Sequence, residues 1–253
     1  MIMKILTFIL LIFFNSFALS DPLKNAIESE IRSDKNVARD VYRHPYETLT
    51  FFGIRPDMTV IELSPGGGWY TEILAHYLKD NGELIAVHFD PSMGDFAKRV
   101  RDNFEKKLAS SSVYDQVKLA SLNSKYSEVE SVDVVVTFRN LHNWIGPNWD
   151  FIIKNSYASL KKGGLLGVVE HRAKEGTSIE NMKKTGYVTE KYAIESIEKL
   201  GFKLIAKSEI NSNPKDTKDH PRGVWTLPPV MRLKELDQDK YLQIGESLSL
   251  IHI

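Results

Sequence analysis

There is no cysteine among the 253 residues, so disulfide stapling, thiolate catalysis, iron–sulfur clusters and thiolate zinc sites are excluded. Net charge is missing too. The 33 Lys and Arg balance 33 Asp and Glu, which is not the profile of a protein that wraps nucleic acid. Internal repeats, low-complexity runs and basic stripes interleaved with aromatics are likewise absent from the sequence. The apolar run from Ile5 to Phe14 is too short to span a bilayer. Lys4 precedes it, Asn15 and Ser16 break it, and Ala18 and Ser20 stand at the spacing that a signal peptidase reads. The expectation is a signal peptide over residues 1–20 and a mature chain from Asp21 that is periplasmic or secreted. No integral membrane segment, nucleic acid or protein partner is expected for that mature chain, only a small-molecule substrate.

What the chain does have is alternation. Residues 22–52 read as lead-in helices, with Leu23, Ile27 and Ile31 spaced by four. From Thr59 strands and helices take turns. Strands are expected at 59–63, 83–88, 117–120, 132–138, 165–170 and 202–208, and helices at 69–78, from Pro91, at 149–160 and at 190–200. Phe96, Val100 and Phe104 give the second of these helices its apolar stripe, and Trp149 and Phe151 read as core. Such alternation predicts an α/β fold, a doubly wound, mostly parallel sheet with helices on both faces. Residues 223–227 read as a last strand pairing with the one that ends near Ile210, giving an antiparallel edge. One domain over 21–253 is expected: helices at 21–55, an α/β core at 56–228 and a tail at 229–253.

The sharpest motif is Glu62-Leu63-Ser64-Pro65-Gly66-Gly67-Gly68-Trp69-Tyr70, which joins the end of a strand to the start of a helix. Glycines there let the backbone pass close beneath a ligand, with helix N–H groups pointing at it. A phosphate cradle would need Lys-Ser or Lys-Thr after the glycines, and Trp69-Tyr70 stand there instead.

This segment resembles the first motif of class I S-adenosylmethionine-dependent methyltransferases, with Glu62 at the acidic position and Ser64, Gly66 and Gly68 at the three spaced glycines. The chain is also similar to a group of exported bacterial methyltransferases. That likeness rests on Ala38-Arg39-Asp40, Tyr42-Arg43-His44-Pro45, residues 65–74 (PGGGWYTEIL), 139–144 (RNLHNW), Glu170-His171-Arg172 and 223–229 (GVWTLPP). It implies a Rossmann-like fold, S-adenosylmethionine as cofactor and methyl transfer to a small molecule, with a last strand shortened or rebuilt near Ile253. Glu62, Ser64, Gly66, Gly67, Gly68, His88, Asp90 and Asn140 would bind the cofactor. His88 stands where the family places a ribose-holding acid, with Asp90 two residues on.

His88, His142 and His171 all follow strands, so in a parallel sheet they would share one crevice with Glu62, Asp90 and Glu170. Three imidazoles and a carboxylate suit a first-row metal, although no HxH or HExxH spacing supports one. His142, His171, Glu170 and Arg172 are the candidate catalytic residues. His142 is the base, Trp144 an apolar wall, and Tyr42 and Arg43 a cover from the lead-in helices. A metal-dependent hydrolase or lyase, and a binding protein without turnover, are the alternatives.

Overall fold

The structure, a computed structural model, describes residues 21–246 and 250–252, so the expected signal peptide lies outside the described residues. The lead-in region forms four short helices, α1 (Pro22–Ile27), α2 (Asp34–Val37), α3 (Asp40–Arg43) and α4 (Pro45–Phe51). Their breaks have local causes. Asp21 caps α1 by accepting from the backbone N–H groups of Leu23 and Lys24. His44, left-handed at φ 39°, ends α3, and Pro45 opens α4 where its missing N–H leaves no helical bond unmade.

Five parallel strands follow: β1 (Thr59–Leu63), β2 (Glu83–His88), β3 (Lys118–Ser121), β4 (Val132–Phe138) and β5 (Leu160–Glu170). With β6 (Lys207–Ser208) and β7 (Leu250–His252) they make a sheet in the order 3-2-1-4-5-7-6. The chain winds outward from β1 to β3, then returns to lay β4 on the other side of β1. That switch point opens a crevice at the carboxyl ends of β1 and β4.

Strand alternation divides the core in two. Ile61, Leu63, Ile85, Val87 and Val135 pack on one face with α7 (Leu141–Trp144), α8 (Trp149–Ser159) and α10 (Glu190–Glu198). Val60, Leu84, Val134 and Val136 face the other way, against α1, α4 and α5 (Trp69–Leu78). Val60, Ile61, Val135 and Val136 are fully buried, as expected for strands covered on both faces. The two remaining long-range elements are α6 (Asp95–Leu108), between β2 and β3, and α9 (Ile179–Thr185), after β5; α11 (Gln238–Ile244) closes the helical set.

Several expectations need correction. Residues 223–226 form a 3-10 turn instead of a strand, because Val224 and Trp225 turn onto Ala173 and Tyr187. The antiparallel strand comes from the tail: β7 inserts between β5 and β6, so the edge is β6. The expected strand at 202–208 shrinks to Lys207–Ser208 because only that part meets β7. Pro91 starts a 3-10 turn, and α6 begins after Gly94, whose φ of 115° breaks the run. Phe96 and Phe151 are exposed, on the outer faces of their helices. The Gly163-Gly164 turn is taken into β5 as a register shift against β4.

Candidate functional site

A cavity of about 480 Å³ opens at the switch point. Its floor is the glycine turn, Glu62 to Gly67, and one wall is the end of β4 with Arg139, Asn140, His142 and Asn143. Lys35, Asn36, Arg39 and Arg43 come from the lead-in helices, and His171, Trp225 and Pro228–Val230 close the far side. A larger groove, about 720 Å³, runs along the first half of β5, but it is mainly aliphatic and gathers no catalytic set.

The turn leaves β1 through Ser64, a non-glycine residue at φ 52°, whose N–H donates to the Val87 carbonyl. That bond ties the turn to β2 and holds Ser64 in a conformation that costs a side-chain-bearing residue free energy. Its hydroxyl is buried without a hydrogen-bond partner among the described residues. Gly66 sits at φ 59°, and a Cβ on Gly66 or Gly67 would meet nothing within 4 Å, so the space above them is open. Gly68 is different: its Cβ would press on Lys107 and Phe104, so this glycine lets α6 pack beneath the turn.

Glu62 is buried and accepts from the Thr71 hydroxyl at 2.6 Å. Burial pushes its carboxyl up to about 7, against the lowering effects of Thr71 and Lys107. Asn140 Nδ2 reaches the Leu63 and Ser64 carbonyls at 3.3 and 3.2 Å, clamping the ends of β1 and β4 together.

His142 and Glu170 form a pair. Glu170 accepts from His142 Nδ1 at 3.0 Å, from the His142 backbone N–H at 3.2 Å and from the His171 backbone N–H at 2.8 Å. Those three donors fix the carboxylate, and it in turn keeps the proton on Nδ1, so Nε2 is left as the basic lone pair. His142 lies on the cavity wall, with the Trp225 ring 5.8 Å away at 75° and the His171 ring 5.9 Å away.

A third cluster had no clear signature in the sequence. Arg39, Arg43 and Arg139 converge on the carboxylate of Glu246, which is 2% exposed. Burial raises the Glu246 carboxyl, and the guanidiniums of Arg43, Arg39 and Arg139 outweigh it and hold it below its ordinary value. Arg43 is pushed down to about 9, first by burial and then by Arg139, despite Glu246. Its guanidinium lies 4.5 Å from the Trp69 ring, whose Nε1 donates to the Asn36 carbonyl at 2.9 Å. Arg139 itself sits at φ 64°, held by its N–H to the Val169 carbonyl.

Of the expected site residues, Glu62, Ser64, Gly66, Gly67, Asn140, His142 and His171 line the cavity, and Glu170 stands directly behind His142. Gly68, His88, Asp90 and Arg172 are not on its wall. His88 turns inward, with Nδ1 accepting from the Phe89 N–H and Nε2 facing the Gly66 carbonyl at 3.2 Å over the Phe104 ring. It therefore braces the glycine turn and has no lone pair to spare. Arg172 pairs with Glu209 and Glu190, tying β5 to the β6 region. The three strand-end histidines thus do not converge. Among the described residues no group of three or more His, Asp or Glu could hold a metal ion. Trp144 is core, so Trp69 and Trp225 supply the aromatic walls in its place. Tyr42 packs on Gly245 and leaves the covering role to Arg43 and Arg39.

Residues 61–168 match the family model described as a methyltransferase domain. A search of curated protein sequences finds no match to this chain. Among solved structures, the chain is similar to a SAM-dependent methyltransferase from Aquifex aeolicus, at 16% identity and a TM-score of 0.55, covering 76% of this chain and 94% of that one. It is also similar to the cyclase SpnF, at 14% identity and a TM-score of 0.58, covering 91% and 90%. The fold is that of these proteins. The domain match falls on the segment from β1 to β5 that carries the glycine turn and His142, and it supports methyl transfer as the activity.

Proposed function

We propose that S-adenosylmethionine is the methyl donor, that the methyl acceptor is a small molecule held between the glycine turn and the His142–Glu170 pair, and that the enzyme acts after export, in the periplasm or outside the cell. The residues present fit the cofactor. Ser64 offers a buried hydroxyl without a partner among the described residues, the space above Gly66 and Gly67 is open, and the Glu62 carboxyl faces the same cavity. Glu62, Ser64, Gly66 and Gly67 would hold its methionine end. The end of β2 puts no carboxylate on the cavity wall for the ribose hydroxyls: His88 is spent on the turn, and Asp90, whose carboxyl is lowered by its hydrogen bonds from Ser92, lies off the wall. When bound, S-adenosylmethionine supplies a methyl group on a positively charged sulfur, ready to accept a nucleophile's electron pair.

The chain's own part is to position that nucleophile and take its proton. His142 Nε2 receives the proton the acceptor loses, and Glu170 holds the imidazole in the tautomer that makes this possible. The Trp69 and Trp225 rings line the cavity and keep water from competing with the acceptor. The observation that carries this reading is the placement of a base–carboxylate pair and an open glycine cradle on one cavity.

Calorimetric titration of the purified protein with S-adenosylmethionine and S-adenosylhomocysteine tests it. Saturable binding of both in the micromolar range is expected, weakened at least about tenfold by Gly66→Val, which puts a branched side chain into the open space at a left-handed position. Folded protein that binds neither up to millimolar ligand would refute the reading. For export, N-terminal sequencing of protein recovered from the periplasm or medium is expected to start at Asp21; retention of the full chain in the cytoplasm would exclude it.

A further inference from the structure

We propose that the acceptor is an anion, a small molecule bearing a carboxylate or phosphate group, and that Arg43, flanked by Arg39 and Arg139, receives that group in the cavity. The proposal rests on the methyl-transfer reading for the word acceptor; the anion subsite itself does not.

Arg32 and Lys107 nearby are matched by Asp40 and Glu72. Arg39, Arg43 and Arg139 share Glu246 among them. Glu170 and Glu62 are the next carboxylates; the oxygens of Glu170 are taken by the three N–H donors of His142 and His171, and burial disfavours the charged form of Glu62. Even counting both as charged, Arg39, Arg43 and Arg139 together with Lys35 on the same wall outnumber Glu246, Glu170 and Glu62. Excess charge on buried groups is costly unless something pairs with it.

Geometry says where the partner goes. The Arg43 side chain is 5% exposed, lies on the cavity wall and spends Nε on Glu246 at 3.0 Å. Its Nη2 has no hydrogen-bond partner among the described residues. The Trp69 ring, 4.5 Å from the guanidinium carbon, limits the movement of the group, and a guanidinium pairs with a planar or tetrahedral oxyanion through adjacent N–H groups. A purely architectural role, stapling the lead-in helices to Glu246, needs one guanidinium and leaves the other two unexplained.

The cofactor does not supply the missing charge. Its single carboxylate arrives with an ammonium and a sulfonium, so it brings net positive charge into a cavity already positive. The acceptor is what remains. The same cluster then discriminates, since a neutral or cationic acceptor of the same size would leave Arg43 unpaired.

The test uses the whole protein, with inorganic phosphate and succinate as probes at constant ionic strength, read by tryptophan fluorescence from Trp69 and by calorimetry. Saturable binding of one or both at about millimolar or tighter is expected, retained or strengthened when S-adenosylhomocysteine is bound. Arg43→Gln should weaken the probe at least about tenfold and change S-adenosylhomocysteine affinity less than about threefold, whereas Arg43→Lys should recover part of the loss. Arg139→Gln, at a more exposed position, gives a second variant should Arg43→Gln misfold, and the same selective loss is expected of it. Absence of probe binding, equal binding by the Gln variants, or displacement of the probe by S-adenosylhomocysteine would each overturn the proposal. Displacement would place the cofactor's own carboxylate on the arginines. If the methyl-transfer reading failed, cofactor binding would be lost while phosphate or succinate still bound.

Discussion

Replacing Glu62 by Gln is the most direct probe of the site's electrostatics. The carboxyl is 2% exposed at the end of β1, with one hydroxyl donor from Thr71 at 2.6 Å. Burial raises it from 4.5 to about 7. Because the folded value lies above the unfolded one, the stabilisation from the protonated form is complete below about pH 4.5 and is lost as pH rises through about 7. Between pH 5 and pH 8 that linkage amounts to about 2–3 kcal/mol. Gln keeps an oxygen for Thr71 and removes the titration. Urea unfolding of both proteins at the two pH values is therefore expected to show the wild type losing about 2–3 kcal/mol more than Glu62→Gln, with equal m-values. In thermal melts the same difference should be about 5–10 °C for a chain of this size. Stability curves that run parallel in pH would refute the assignment of a buried, neutral carboxyl. The same group couples to the cofactor: a cation in the cavity favours the ionised form, so S-adenosylmethionine binding near pH 6 should release part of a proton, visible as a buffer-dependent heat that Glu62→Gln abolishes.

Other perturbations separate chemistry from architecture. Glu170→Gln should lower kcat by about 10- to 100-fold with little change in KM and displace the pH–rate profile, because the carboxylate orients His142 without touching substrate; an unchanged profile would remove Glu170 from the mechanism. Glu246→Gln leaves three guanidiniums facing one another and should cost about 3–5 kcal/mol in chemical denaturation, part of it recovered by added phosphate. A neutral outcome would mean that water already solvates the cluster. Gly223→Ala places a Cβ 2.1 Å from the Thr185 carbonyl at φ 58° and should destabilise by about 3 kcal/mol or more. Gly53→Ala, at φ 63° with nothing within 4 Å, should cost only about 1 kcal/mol in the same assay.

The parallel core could be read from the sequence because its signals are local. Thr59–Leu63, Glu83–His88 and Val132–Phe138 are short apolar runs rich in β-branched residues, and Trp69–Leu78 carries helical spacing, so each element's limits are set by its own residues. The glycine turn and the histidine after β4 were visible for the same reason: strand-end residues inherit their place from the strand. The sheet edge was legible only in part: the strand expected at 202–208 contains Lys207–Ser208, but neither its limits nor the place of β7 was visible. Lys207–Ser208 and Leu250–His252 have little intrinsic strand character and exist as strands by pairing with each other and with β5. Residues 223–226 have strand-like composition, yet the contacts of Val224 and Trp225 with Ala173 and Tyr187 override it.

For the site, the sequence by itself pointed to four strand ends, and three of them meet at the cavity: Glu62 and the glycines after β1, His142 after β4, and Glu170 with His171 at the end of β5, whereas His88 and Asp90 after β2 are not on its wall. Only the tertiary structure decided their roles. Whether an imidazole points into the crevice or back under the turn depends on which hydrogen-bond partner lies in reach, and for His88 that partner is the carbonyl of Gly66, 3.2 Å away and 22 residues distant in sequence. The arginine cluster shows the limit most plainly. Arg39, Arg139 and Glu246 are separated by 100 residues or more, so nothing in their local sequence announces that three guanidiniums will share one carboxylate. Long-range charge balance is a property of the folded chain: it is set by burial and distance, and both come into being only when the helices and the tail close over the sheet.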